Sequence, residues 1–600
     1  MITTLAAVAV AAPLIAAAIG LLASRLVPTG GVVVAGTGIS AVLAIVIVFG
    51  AGTAHESSAT LTPTGTIPIT VGMRVDGLSA AVMLMVTLVA LAIQVFSIGY
   101  MRHEERYPSF ASLVSLFTSA MLIVVLSADL IVTYVGWEIM GICSYFLIGH
   151  HWEKPTASAA AVKSFLMTRF GDVGFLFGIF VLGMAAGSFR ITDVIAAVPA
   201  MSSPALLAAT LLLTAGVVGK SAQFPLHSWL PDAMAGPAPV SALIHAATMV
   251  AAGAYVVALL FPVFVAAPFT LSLLAILAVI SMVGAALAAL ATEDLKRVLA
   301  YSTISQLSFM FAGLAVGGRV PAVGHLLSHA AFKALLFLCS GAVIIAVGSN
   351  LMSDMGGLRR AMPITFATMT VGFAALAGIP PTAGFFSKDA IVSAAEHAAT
   401  GEGAPVGAGI GWIVLLGLFL TVLLTAAYAT RAWLRTFFGA AREVPEAPPI
   451  MTVPLMALAV PALLLGFGGL WWAELRPEWG SAVLSAVLAG IGVIVAYVAW
   501  RADPVRDPAD RLGALRPVFS SAMRSDDLYE RTVAPAVTTL AAGVVATDDH
   551  VVARTVTGTG RGAGRLGGVL RLTQNGNPQF YLTGLLAGVL LIALGVVILV

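Results

Sequence analysis

Two cysteines, Cys143 and Cys339, are all that the 600 residues carry, and both lie inside apolar runs. That scarcity argues against a disulfide framework and against a cysteine-ligated iron–sulfur or zinc site, so no redox cofactor is placed on this chain. Charge is scarce as well. Charged residues make up 10% of the sequence and nearly cancel to a net +2, which gives no basic surface for nucleic acid and no reason to expect an anionic substrate. There is no GxGxxG unit after a strand and no P-loop, which argues against nucleotide binding. What the chain has instead is apolar residues, at 60%, with a mean hydropathy of +1.02. Such values leave out the soluble globular classes and define a polytopic membrane protein in a lipid bilayer. The start, MITTLAAVAV, has no basic segment before its apolar run and reads as a retained first helix.

At about 20 apolar residues per crossing, sixteen spans are expected. They fall near 2–24, 30–51, 77–99, 110–128, 130–150, 160–185, 205–221, 238–265, 270–290, 296–316, 321–348, 362–396, 409–434, 450–473, 480–500 and 579–600. Two of them are broken. Pro225 and Pro231 stop the helix that ends at Lys220, and Gly378, Pro380, Pro381 and Gly384 interrupt 362–396. Segment 110–265 holds five spans, the fourth broken beside a lysine, and 270–434 repeats the arrangement beside Lys388, so the second five-helix repeat is inverted relative to the first. The expected fold is therefore all-α, with N-terminal helices in 1–109, the repeats 110–265 and 270–434, further helices in 450–500 and a last span at 579–600.

Residues 503–578 differ from the rest. Charges alternate there with Leu528, Val533, Val537, Leu540 and Val544 at three- and four-residue spacing, the pattern of an amphipathic helix. This lateral helix is expected from Ser525 to about Gly558, with a break or irregularity in the run GTGRGAGRLGG at 558–568, because glycine is a poor helix former. The loops set the orientation. Arg25, Arg102, Arg106, Lys154, Lys296, Arg297, Arg359, Arg360, Arg431, Arg435 and Arg442 lie in the odd-numbered loops, against Arg74, Arg190, Arg319 and Arg476 in the even ones. The positive-inside bias then puts the odd loops in the cytoplasm and both termini outside.

Buried ionisable residues are the candidates for chemistry, since a charge at the bilayer centre costs at least about 3 kcal/mol and persists only with a partner, water or a role. Glu138 lies nine residues past Asp129, about 13 Å deeper, and Lys220 is its expected partner. The pair is either a static tie between helices or a proton carrier whose lysine charge depends on a movable carboxylate. His325, His329 and Lys333 repeat at four-residue spacing on one helix face, the pattern of a proton relay; a lone histidine there would be an ordinary hydrogen-bonded core residue. The same two histidines have metal-ligand spacing, but no third ligand lies nearby in sequence, and no metal is expected. Lys388 follows the second break beside Asp389, either as a helix-start pair or as the counterpart of Lys220. His245 either passes protons between the halves or bonds a backbone carbonyl. Arg169 and Asp172, at i,i+3, form either a local salt bridge or part of proton entry. Glu293, Asp294, Lys296 and Arg297 read as structural.

The segments YVGWEIMGICSYFLIGHHW, KSAQFPLHSWLPDAMAGPAPVSALIHAATMV, TEDLKRVLAYSTISQLSFM, HLLSHAAFKALLFLCSG and GIPPTAGFFSKDAIV together resemble the antiporter-like membrane subunits of respiratory complex I, the proton-translocating NADH:quinone oxidoreductase. The resemblance runs from about residue 70 to the end, and the tail 503–600 selects the large L-type branch over the M- and N-type chains and over Mrp-type antiporters. It implies that Glu138 and Lys220 are the charged pair of the first half-channel. His245, His325, His329 and Lys333 would form a central axis, with Lys388 on the exit side. It implies a bacterial cytoplasmic membrane, with M- and N-type chains as neighbours along the lateral helix. FMN, iron–sulfur clusters and quinone are expected in partner subunits.

Overall fold

The computed structural model describes residues 1–50, 53–62, 67–246, 248–470 and 473–599. Two units make up the chain, Met1–Met523 and Arg524–Val600. Fifteen helices among the described residues are long and apolar enough to cross a membrane. The first two are α1 (Ile2–Leu22) and α2 (Thr29–Gly50). Between them and the third lies an antiparallel hairpin, β1 (His55–Thr62) and β2 (Ile69–Val75), in a segment where no strand was expected. Thr60 and Thr62 in β1 and Thr70, Val71 and Val75 in β2 are residue types that favour strands.

Helix α3 (Gly77–Tyr100) opens on a capping box in which the Asp76 side chain accepts from the Ser79 N–H. Then follow α4 (Tyr107–Leu126), α5 (Leu130–Ile148) and α6 (Pro155–Ala186). Asp129 caps α5, and its second oxygen accepts from the Thr70 N–H and hydroxyl, so the hairpin and the helix start share one carboxylate. After the short α7 (Ile191–Ala197) comes α8 (Ser203–Lys220). Helices α6 and α8 approach closely along a seam of small residues: a Cβ on Gly171 would lie 2.7 Å from the Ala215 carbonyl.

Helix α8 ends at Lys220, as its prolines require, and the chain continues through α9 (Trp229–Asp232) to α10 (Ala238–Ala246). The expected span 238–265 begins with α10 and α11 (Met249–Leu259), which together count as one membrane-length segment, with residue 247 outside the described residues. Thr248 caps α11 at φ −124° and ψ −105°. Helices α12 (Phe261–Val265), α13 (Pro268–Ala291), α14 (Leu295–Ala315) and α15 (Arg319–Val347) complete the centre, with α14 buried along its whole length. The expected break in 362–396 separates α16 (Pro363–Ala377) from α17 (Ala383–Thr400). Gly378 ends α16 in the left-handed region at φ +77°, and a Cβ on Gly384 would fall 1.8 Å from the Ala375 carbonyl. Only glycine lets the second half-helix start that close to the first.

Helices α18 (Ala408–Phe437), α19 (Pro449–Leu464) and α20 (Trp479–Ala502) follow, and α21 (Leu515–Ser520) packs on α13. Within this unit Asp507 is gripped by Arg431 of α18 and by Arg516, whose guanidinium lies 2.9 Å away. The second unit holds α22 (Ser525–Thr547), α23 (Ala553–Thr573) and the apolar α24 (Pro578–Leu599). It corrects the expected break. The glycine run 558–568 lies inside continuous α23, and the irregularity is a π-helical turn at Asp548–Val552. Propensity was overridden there: the six glycines, at about 1 kcal/mol each in a helix interior, disfavour the helix without breaking it.

Candidate functional site

Lys220 is the last residue of α8 and is fully buried. Its ammonium donates to Asp172 of α6 at 3.1 Å and lies over the Trp137 ring at 5.2 Å. The expected Glu138–Lys220 pair is thus not the one the side chains make. Glu138 instead pairs with the Arg169 guanidinium, which also lies 3.9 Å from Asp172 and donates to the Glu138 carbonyl at 3.3 Å. The reason is reach across α6: Arg169 and Asp172 are one turn apart and stand between α5 and α8. Glycine at 141 leaves room for both cations, since a Cβ there would sit 3.1 Å from the Arg169 guanidinium and 3.1 Å from the Lys220 ammonium. Trp137 donates its indole N–H to the other Asp172 oxygen at 2.7 Å. The result is a chain of alternating charge, Glu138–Arg169–Asp172–Lys220. It runs from side chains about 20% exposed at its Glu138 and Arg169 end to fully buried ones.

The break that follows Lys220 is held by hydrogen bonds. Trp229 donates to the Gly219 carbonyl at 3.0 Å and Ser221 to the Val250 carbonyl at 2.7 Å. Gln223 accepts from Ser308 of α14 at 2.6 Å. Lys296 is buried and donates to the carbonyls of Met234 and Gly236, at 2.7 and 2.6 Å, satisfying the end of the same broken segment. Its structural reading fits this placement. Beside it, Lys163 and Arg297 flank Asp232, at 2.6 and 3.4 Å, in a cleft of about 430 Å3.

The second constellation lies on α15. His325, His329 and Lys333 are all fully buried, with the two imidazole rings 6.2 Å apart. His325 shares a hydrogen bond with Ser387 of α17 at 2.9 Å. Lys333 donates to the Leu299 carbonyl at 3.2 Å and to the Ser302 hydroxyl, both on α14. Lys388 donates to the Leu376 carbonyl at 2.5 Å, so the carbonyl released by the second break is satisfied by the lysine beside it. Its ammonium lies 5.5 Å over the Phe309 ring, which in turn stands 6.0 Å from His325. Asp389 faces away and accepts from Ser481 at 3.1 Å, so Lys388 and Asp389 are not a pair. His245 lies in the last turn of α10, with its ring 5.2 Å from Phe337 of α15 and neither ring nitrogen hydrogen-bonded among the described residues.

Spacing alone had not singled out Gln306, whose buried amide has no hydrogen-bond partner, nor Ser302 and Ser308. The signal was available in the run YSTISQLS, a polar stripe inside a membrane-length helix.

Broken helices whose ends are met by buried lysines, joined by rows of ionisable side chains at membrane depth, define an ion-translocating type of membrane protein. The comparisons with known proteins give the family. Residues 127–423 match the family described as NADH:quinone oxidoreductase/Mrp antiporter, TM, and residues 61–111 match the chain 5 N-terminus of NADH-ubiquinone oxidoreductase (complex I). The NADH-quinone oxidoreductase subunit L of Mycobacterium tuberculosis is 38% identical over 565 residues, covering 90% of this chain and 88% of that one. A chain of the Mrp complex from a Dietzia species superposes with a TM-score of 0.76 at 26% identity over 99% of this chain, which spans 63% of its length. A chain of respiratory complex I from Thermus thermophilus, at 23% identity and a TM-score of 0.68, shares the fold over 81% of this chain. The chain belongs to the antiporter-like family of NADH-quinone oxidoreductase membrane subunits.

Proposed function

We propose that this chain is the L-type proton-translocating subunit of an NADH:quinone oxidoreductase. In this reading it moves protons outward across the bacterial cytoplasmic membrane while other subunits carry electrons from NADH to quinone. FMN, the iron–sulfur clusters and the quinone belong to those subunits, and this chain works without a redox group. Its neighbours are other membrane subunits, with M- and N-type chains along the lateral helix α22–α23. In this reading both termini lie outside and the Asp232 cleft lies on the cytoplasmic side, supported by the positive-inside bias of the loops. The observation that carries the reading is the buried Lys388–His325–His329–Lys333 row, set in the fold of chains named for this enzyme.

The proposed mechanism runs through the Glu138–Arg169–Asp172–Lys220 chain. A charge change reaching the Glu138 flank acts on Arg169, which stands between Glu138 and Asp172. Drawing Arg169 toward one carboxylate changes how far Asp172 neutralises Lys220, and so sets whether that lysine keeps its proton. His245 and the α15 row then pass the proton toward Lys388. Each outward proton works against about 2.3 kcal/mol per 100 mV, which the redox reaction supplies. The test is proton pumping per NADH oxidised in membranes carrying Lys220→Ala, with assembly checked by blue-native gel. Pumping should fall in an assembled complex; unchanged pumping would falsify the role of Lys220.

A second reading, an Mrp-type cation/proton antiporter subunit, is favoured by the superposition on the Dietzia chain. Copurification separates the two. A flavin- and iron–sulfur-containing assembly fits the first, and a colourless hetero-oligomer fits the second.

A further inference from the structure

Outside the buried axis, one cluster of ionisable side chains has no part in the translocation reading. Glu104 lies in the loop between α3 and α4, and His150 and His151 follow α5. The Glu104 carboxylate has one oxygen 3.8 Å from the His150 Nε2 and the other 3.9 Å from the His151 Nδ1. One ligand atom from each of the three side chains lies within 4.8 Å of the other two.

None of the three contacts is a hydrogen bond. His150 is 93% buried (7% exposed), packed edge-on to Phe110 with ring centroids 5.3 Å apart, and its Nε2 has no hydrogen-bond partner. A buried polar atom left unsatisfied costs about 1–3 kcal/mol, so its lone pair needs an acceptor of electrons or a donor of hydrogen. The other charged groups around the cluster are Arg106, Glu153 and Lys154. Arg106 bonds Glu153 at 2.7 Å and touches Glu104 only at 3.6 Å, and Lys154 lies beside His151.

We propose that Glu104, His150 and His151 form a binding site for a zinc-type divalent cation that ties the α3–α4 loop to the end of α5. Two imidazole nitrogens and a carboxylate oxygen are a common three-ligand set for Zn2+, with bonds of about 2.0–2.2 Å and a fourth position left to water. Tetrahedral ligands at such bond lengths stand about 3.4 Å apart, so closure asks each side chain to move by roughly an ångström or less. Glu104 and His151 are partly exposed loop residues and can do so. The metal would bridge two loops at the end of the helix that carries Glu138, and so would stiffen α5.

The experiment measures zinc bound by the full-length chain purified in detergent, equilibrated against a buffered zinc series and read by elemental mass spectrometry. A fluorescent zinc chelator in competition gives the affinity. The wild type should hold one zinc ion per chain. Losing one ligand should weaken binding about tenfold or more, since even outer-shell substitutions cost 10–100-fold. His151→Ala and the isosteric Glu104→Gln serve here, because His150→Ala removes a buried ring and can unfold the region; His103→Ala is the exposed control. Zinc should also raise the melting temperature of the wild type and leave that of Glu104→Gln unchanged. Wild-type zinc content in His151→Ala and Glu104→Gln, or equal loss in His103→Ala, would overturn the site.

Discussion

The two buried constellations solve the same problem in opposite ways. Around Lys220 the charges alternate, and each cation has a carboxylate: Arg169 beside Glu138, Lys220 beside Asp172. Around Lys333 and Lys388, no carboxylate oxygen lies within salt-bridge distance among the described residues, and both ammonium groups bond only to carbonyls and a hydroxyl. The first set is a neutral network in which removing one member strands another. The second is a row of bases, where each group carries its own desolvation cost and a proton arriving at one position is felt along the row. Under the proposed function, the first set would be the sensitive element and the second the conducting one.

Asp172→Ala should break the comparison most visibly. It leaves Lys220 as a buried cation without its carboxylate, and breaking a buried pair from one side costs about 3–5 kcal/mol. A lower melting temperature in detergent and less assembled complex on a blue-native gel are expected. Lys333→Met is the contrasting change. It removes an unpaired charge while keeping the volume, so stability should stay within about 1 kcal/mol of wild type, while pumping per NADH is lost. If Lys333→Met unfolds the chain as Asp172→Ala does, the second row is also a structural network.

The Asp507 tie gives an effect of intermediate size outside the axis. Burial alone would push its carboxyl up, but the Arg431 hydrogen bond and charge outweigh it and hold the group below its ordinary range. A depressed carboxylate contributes stability that is full above its unfolded value of about 4 and is lost as pH falls through the folded value. Asp507→Asn should therefore cost about 1–3 kcal/mol at neutral pH, and the gap from wild type in a melting series should close as the pH is lowered below 4. A gap that persists in acid would mean that the carboxylate's charge is not what matters. The smallest effect is expected from Arg190→Ala. Its bond to Glu56 of the hairpin is 37% exposed on the arginine side, and such surface pairs contribute about 0–1 kcal/mol. A hydrogen-exchange map should show change confined to β1.

Much of this was legible in the sequence because lipid makes the rules strict. Apolar length gave the spans, and proline and glycine gave the breaks after Lys220 and at Gly378. Four-residue spacing brought His325, His329 and Lys333 to one face. What escaped was whatever depends on a neighbour. The hairpin His55–Val75 was hidden between two spans. The helical state of Gly558–Gly568 ran against propensity. Lys220 was expected to meet Glu138, both being deep in their spans, yet depth along a helix says nothing of the angle around it.

The sequence by itself determined that this chain crosses a membrane many times, where its helices break and which ionisable residues are buried, because hydropathy and backbone chemistry are local. The tertiary structure alone decided who partners whom. Arg169 and Asp172 stand between Glu138 and Lys220 because small residues draw α6 against α8 and Gly141 leaves space for two cations. Pairing depends on distances of a few ångströms between helices far apart in the chain, and no spacing along one helix encodes those.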